Sequence, residues 1–144
     1  MNAWNSQFEK PSFGALIKGL NPEIQSFYQD FRLSMVEILN TKPKTEWMGA
    51  TLGWSENIVP DEGGLIRSVH LVADPDNPRV EMALSKAFFE AHPPSSLPKL
   101  LYGGLSTATC IGHQAWCSWS LSSQDNAEAI KQVVELAHGG CPRD

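Results

Sequence analysis

The sequence predicts an α+β fold. It reads as a two-layer sandwich in which an antiparallel sheet of four strands, or slightly more, carries the N- and C-terminal helices on one face. Three observations predict it. Stretches with helical spacing of apolar residues lie near both ends of the chain. Period-two alternation fills the middle. The alternating stretches are joined by short loops, which make antiparallel neighbours. A length of 144 residues fits one domain. Residues 1–20 read as an arm that packs on the domain, and 21–144 as the domain itself.

Trp4, Phe8 and Phe13 would dock the arm, and Ser12 would cap a short turn running to Leu20. Asn21-Pro22-Glu23 reads as an N-cap, a proline at the first helical position and an acid in the first turn. Ile24, Phe27, Tyr28, Phe31, Met35, Ile38 and Leu39 form one apolar stripe, and Pro43 bounds a helix over 22–41. Glu46 to Ile58 alternates, with Met48, Ala50, Leu52, Trp54 and Ile58 on one side and Gly49, Thr51, Gly53 and Ser55 on the other. That pattern predicts a first strand with one buried face.

After a turn over Pro60–Gly64, a second strand spans 65–73, with Leu65, Val69, Leu71 and Ala73 inward. Asp74–Pro78 has hairpin-loop composition, and a third strand over 79–84 turns Val80, Met82 and Leu84 inward. Ser85 caps a short helix that Pro93-Pro94 stops. Ser96-Leu97-Pro98 opens another short helix, broken near Gly103-Gly104. A fourth strand over 111–121 has His113, Ala115, Cys117, Trp119 and Leu121 on one side and Gly112, Gln114, Trp116, Ser118 and Ser120 on the other. The final helix starts at Asp125 with Glu128 as its capping-box partner, and buries Ala127, Ile130, Val133, Val134 and Ala137. Gly139-Gly140 ends it.

Charge removes several function classes. Eleven basic and sixteen acidic residues give a net charge of −5. Nucleic acid and anionic membranes both call for a basic footprint, so neither is expected as a partner. The first twenty residues lack the charged and apolar regions of a signal peptide, and no segment approaches the ~20 apolar residues that cross a bilayer. The expected compartment is the cytoplasm, where the three cysteines stay reduced.

No motif identifies a reaction. Cys110, His113 and Cys117 are the densest group of candidate ligands for a metal- or thiol-dependent site. On one continuous strand, parity points Cys110 away from the other two, and His113 and Cys117 stand about 13 Å apart at ~3.3 Å per residue. His70, His92, His113 and His138 supply bases in principle, but no spacing pairs one with a cysteine. Cys141 lies beyond the last helix and is expected to be exposed. The glycine pairs at 63–64, 103–104 and 139–140 lack the phosphate-cradle patterns. Glu23, Asp30 and Glu37 are spaced too widely along a helix to chelate one ion. No cofactor and no metal are therefore expected.

The aromatics point elsewhere. Trp47 falls opposite the apolar side of the first strand and Trp116 opposite that of the fourth. If those strands are neighbours, the two tryptophans line the second face of the sheet, with His70 and Gln114 as polar neighbours. The expected function is a non-enzymatic binding domain that engages a protein or a small apolar ligand, or itself as a homodimer, through that face. The competing readings are the Cys110/His113/Cys117 site and an immunity- or antitoxin-like protein whose acidity suits a basic partner.

Several phrases carry a family resemblance. They are Phe31-Arg32-Leu33 through Ile38-Leu39, then Glu46-Trp47-Met48-Gly49; Val80-Glu81-Met82-Ala83-Leu84 followed by Phe88-Phe89 and Leu97 through Gly104; and the closing stretch from Trp116 to Ala137. In these the chain resembles the YdhG-like small bacterial domains of unknown function over about residues 20 to 138, with the YjbR/MmcQ family similar in element order. The resemblance implies a small α+β domain with a curved antiparallel sheet. Where that family often has a basic residue after the glycine segment, this chain has Ser106-Thr107-Ala108. No ligand site carries over.

Overall fold

The computed structural model describes residues 3–60 and 64–139. In chain order the helices are α1 (Phe13–Ile17), α2 (Pro22–Leu39), α3 (Gly49–Leu52), α4 (Lys86–Ala91), α5 (Tyr102–Ser106) and α6 (Gln124–Gly139). The strands are β1 (Lys44–Trp47), β2 (Trp54–Ile58), β3 (Ile66–Val72), β4 (Arg79–Ser85), β5 (Thr109–Ile111) and β6 (Gln114–Ser120). Short 3-10 turns fall at Ala3–Asn5, Pro94–Ser96 and Lys99–Leu101. The fold is α+β, an open six-stranded antiparallel sheet in the order β1-β2-β3-β4-β6-β5.

The helix caps follow from local chemistry. Ser12 Oγ accepts from the Ala15 N–H at 3.1 Å, and Asn21 Oδ1 accepts from the Glu23 N–H at 2.8 Å. α2 ends two residues earlier than expected, because Asn40 takes the left-handed conformation at φ 51°. α6 is capped by Ser123 rather than by Asp125. Ser123 Oγ accepts from the Asn126 N–H at 3.1 Å, while Glu128 accepts from the Gln124 side chain at 3.2 Å.

Two expected strands are each two elements. The predicted first strand, 46–58, is a hairpin. One helical turn, α3, is inserted between β1 and β2, and Gly49 (φ 92°) and Gly53 (φ 61°) supply backbone conformations that other residues resist. The Met48 N–H closes the hairpin on the Gly53 carbonyl at 2.8 Å, and Trp47 stands opposite Trp54. The predicted fourth strand is likewise a hairpin of β5 and β6, turning at Gly112 (φ 62°). The turn expected at 60–64 falls largely on 61–63, and Cys141 and the end of the last helix at Gly140 fall beyond 139. All of these lie outside the described residues.

Register assigns the two faces of the sheet. Ile58, Val69, Met82 and Cys117 align across four strands, as do Glu56, Leu71, Val80 and Trp119. This is the helix side, where Phe31, Met35, Val133 and Val134 complete the core. The Tyr28 hydroxyl crosses from α2 to donate to the Val72 carbonyl at 2.5 Å, with the Arg79 carbonyl 3.2 Å away. Arg32, also on α2, pairs with the buried Glu56 at 2.7 Å. Trp119 Nε1 donates to the Leu101 carbonyl at 2.9 Å and packs so closely on Gly104 that an added Cβ there would overlap the indole. That contact holds α5 over β6.

The arm docks on the helix side too. Trp54 Nε1 donates to the Ser6 carbonyl at 2.8 Å, and Trp4 lies against Gly53, where a Cβ would overlap its carbonyl oxygen. Phe13 sits 4.7 Å beneath the Arg32 guanidinium. Phe8, expected to dock, is 93% exposed.

Candidate functional site

The second face of the sheet begins with small and polar residues. Register aligns Lys44, Asn57, His70, Glu81 and Ser118 in one row across five strands. Beside it run Ser68, Ala83, Trp116 and Thr109 on one flank and Glu46, Ser55, Val72, Arg79 and Ser120 on the other. Ser55, Asn57 and His70 are buried here although they are polar. Buried polar groups need partners, and a connected network supplies them.

Glu46 sets the polarity of that network. An ionised carboxylate only accepts, so Asn57 must turn Nδ2 toward Glu46 Oε1, 2.7 Å away. Asn57 Oδ1 then faces His70 Nδ1 at 2.7 Å and receives the Ser55 hydroxyl at 3.0 Å. An amide oxygen cannot donate, so Nδ1 carries the imidazole proton and Nε2 accepts from Ser68 Oγ at 2.9 Å. Burial pushes the His70 pKa down to about 4, outweighing the raising influence of Glu46, so the ring is neutral near pH 7. Ser68 takes its place through a register irregularity between Ile66 and Ser68.

The network fixes a tryptophan. The His70 ring stacks on Trp116 with centroids 5.4 Å apart and planes 22° apart. Trp116 is half-buried, as is Gln114 two residues earlier on the same face. Exposed Ser118 and Ser120 continue the surface. On its other flank Arg79 is held by Glu81 at 2.9 Å and Asp74 at 3.3 Å.

Of the residues singled out in the sequence, Trp116, His70 and Gln114 therefore share one face. Trp47 does not join them. β3 and β4 stand between β2 and β6, so the first and fourth predicted strands are not neighbours. The inserted turn places Trp47 on the helix side, edge-on to Trp54 with centroids 5.8 Å apart. Ser55, Asn57, Ser68 and Glu46 escaped the sequence reading. Ser55, Asn57 and Ser68 look like solvated residues on the polar side of a strand, Glu46 looks like a charged strand end, and only the register joins them.

The cysteine group is rearranged as well. The turn at Gly112 folds Cys110 back against Ala115, onto the same face as Cys117, and leaves His113 in the turn. Burial, with smaller effects from Cys110 and Glu81, pushes the Cys117 thiol up to about 12, which keeps it protonated and poorly nucleophilic. Among the described residues no three His, Cys, Asp or Glu side chains group as ligands for a metal ion.

Two cavities lie away from Trp116. One, of about 430 Å³, is lined by Pro94, Ser95, Tyr102, Leu105 and Ser106. The other, of about 440 Å³, is lined by residues of 41–60 that include Lys42, Lys44, Glu46 and Asn57. No helix among the described residues is long and apolar enough to cross a membrane. No family model, curated protein or solved structure matches the chain.

Proposed function

We propose that this chain is a non-enzymatic, cytoplasmic binding domain that engages a partner protein through the sheet face around Trp116. The observation that carries the reading is the His70–Trp116 stack. A partly exposed indole is a costly surface feature, and tryptophan is enriched among the residues that dominate protein interfaces. Here it is held before any partner arrives, because His70 is itself locked by Asn57 and Ser68. An anchor ordered in advance spares the complex the entropy of immobilising it. Gln114, Ser118 and Ser120 supply a polar rim around it.

The surface around Trp116 favours a protein over a small ligand. Small-molecule sites are concave, and the cavity on this face, which Lys44, Glu46 and Asn57 line, does not extend to Trp116 or His70. A pleated surface flanked by serines suits a broad macromolecular contact. The YdhG-like resemblance contributes no residue to this reading.

The test starts with affinity capture from the source cells, using the wild-type chain and the Trp116→Ala chain as baits. The captured partner is then purified and its affinity for both is measured by calorimetry. Loss of a central tryptophan anchor should weaken binding by about 30-fold or more, with the far-UV spectrum unchanged. Equal affinity for the two chains refutes the reading.

A further inference from the structure

The two edges of the sheet differ in chemistry. β1 carries Lys44 and Glu46, with Lys42 just ahead of it. β5, at the opposite edge, is Thr109-Cys110-Ile111, and all three residues are exposed, Ile111 by 62%. The absence of charge extends well beyond the strand. From residue 100 through 124 the sequence has no Asp, Glu, Lys or Arg. That run builds α5, β5 and β6.

A free strand edge presents unpaired N–H and C=O groups, and soluble proteins commonly guard it with charge, proline or a covering element. β1 has such charges and β5 has none. The segment that leads into β5 is apolar where it is exposed. Leu100 is 54% and Tyr102 40% exposed, and the cavity of about 430 Å³ is lined by α5, the helix that leads into β5 through Thr107 and Ala108.

We infer that β5 pairs antiparallel with β5 of a second copy of this chain, joining two sheets across a two-fold axis. Charge selects this occupant. Two chains of net charge −5 repel each other least when they meet through surface that carries no charge. A basic partner would gain nothing from a stretch without carboxylates and would settle on acidic surface instead. Two-fold pairing is self-complementary, so each copy supplies the strand the other lacks. Cys110 is the middle residue of β5, so in a pairing centred on the strand it faces Cys110 of the second copy. Antiparallel Cα atoms stand ~4.5–5.5 Å apart, within the span that a disulfide bridges.

This inference does not depend on the Trp116 reading, and the two fail separately. The test is the mass of the full chain by light scattering at about 100 μM, a concentration that populates weak dimers. The expected result is twice the 15.9 kDa of one chain for the wild type, and 15.9 kDa for Ile111→Lys with an unchanged far-UV spectrum. A second measurement covers the case in which Ile111→Lys unfolds. In a Cys141→Ser background, diamide takes two electrons and two protons from a pair of Cys110 thiols and leaves one S–S bond. The expected product is a covalent dimer that is absent when Cys110→Ser is added. A monomeric wild type overturns the inference. So does a folded Ile111→Lys chain that keeps the doubled mass, or a Cys141→Ser chain that gives no covalent dimer.

Discussion

His70 is the residue on which the candidate site turns, because it meets Asn57, Ser68 and Trp116 at once. Its buried, neutral state has a thermodynamic signature. The unfolded chain binds the His70 proton near pH 6.5, and the folded chain only near pH 4. Stability is therefore full above about pH 6.5 and falls as pH drops toward 4, by up to about 3 kcal/mol from this group. Urea unfolding of the wild type and of His70→Gln at pH 7 and pH 4.5 isolates the effect from that of the carboxylates, and the variant should lack this share of the acid sensitivity. Equal pH dependence in the two chains would show that His70 is not held neutral by burial. Asn57 has the larger structural role, since it satisfies Glu46, Ser55 and His70 together. Asn57→Ala leaves buried groups without partners, so denaturation should register a loss of about 2–4 kcal/mol. Trp116 is different in kind. It is only partly buried and lies outside the main core, so Trp116→Ala should unfold at nearly the wild-type urea concentration.

At the scale of elements, much of the fold was legible in the sequence. Asn21-Pro22-Glu23 and the stripe from Ile24 to Leu39 predict α2 to within two residues, because the cap and the period are both local signals. Strand parity predicts that Trp116, Gln114 and His70 avoid the core side, and register agrees. Trp47 was misread for a physical reason. A single helical turn between Trp47 and Trp54 resets the alternation, and the only local sign of it is the Gly49/Gly53 pair, which also fits a weak strand. The β5–β6 turn at Gly112 hid in the same way, and with it the shared face of Cys110 and Cys117. The hydrogen-bonded network was not legible at all, since its members come from β1, β2 and β3 and meet only through register. Gly53 offers a test of the inserted turn. Its φ of 61° resists a side chain, and a Cβ would overlap the Trp4 carbonyl. Gly53→Ala should cost about 2 kcal/mol or more in thermal or urea unfolding and should shift the tryptophan emission of the docked arm. Unchanged stability would mean that the arm does not pack there.

For the whole molecule, the division of labour lies between the two faces of the sheet. The helix side spends its apolar residues on one core that includes α1, α2, α6 and the arm. The other face is built from small polar residues around a single fixed indole. One edge is charged and the other is not, so the proposed partner contact on the face and the proposed self-association at the edge would use separate surfaces. The proposed binding function rests on the Trp116 face and its preorganised anchor. The most direct measurement is the affinity of the captured, purified partner for wild-type and Trp116→Ala chains, each shown to be folded by its far-UV spectrum. The expected result is a loss of about 30-fold or more, the scale of an interface hot spot. A partner that binds both chains equally would contradict it.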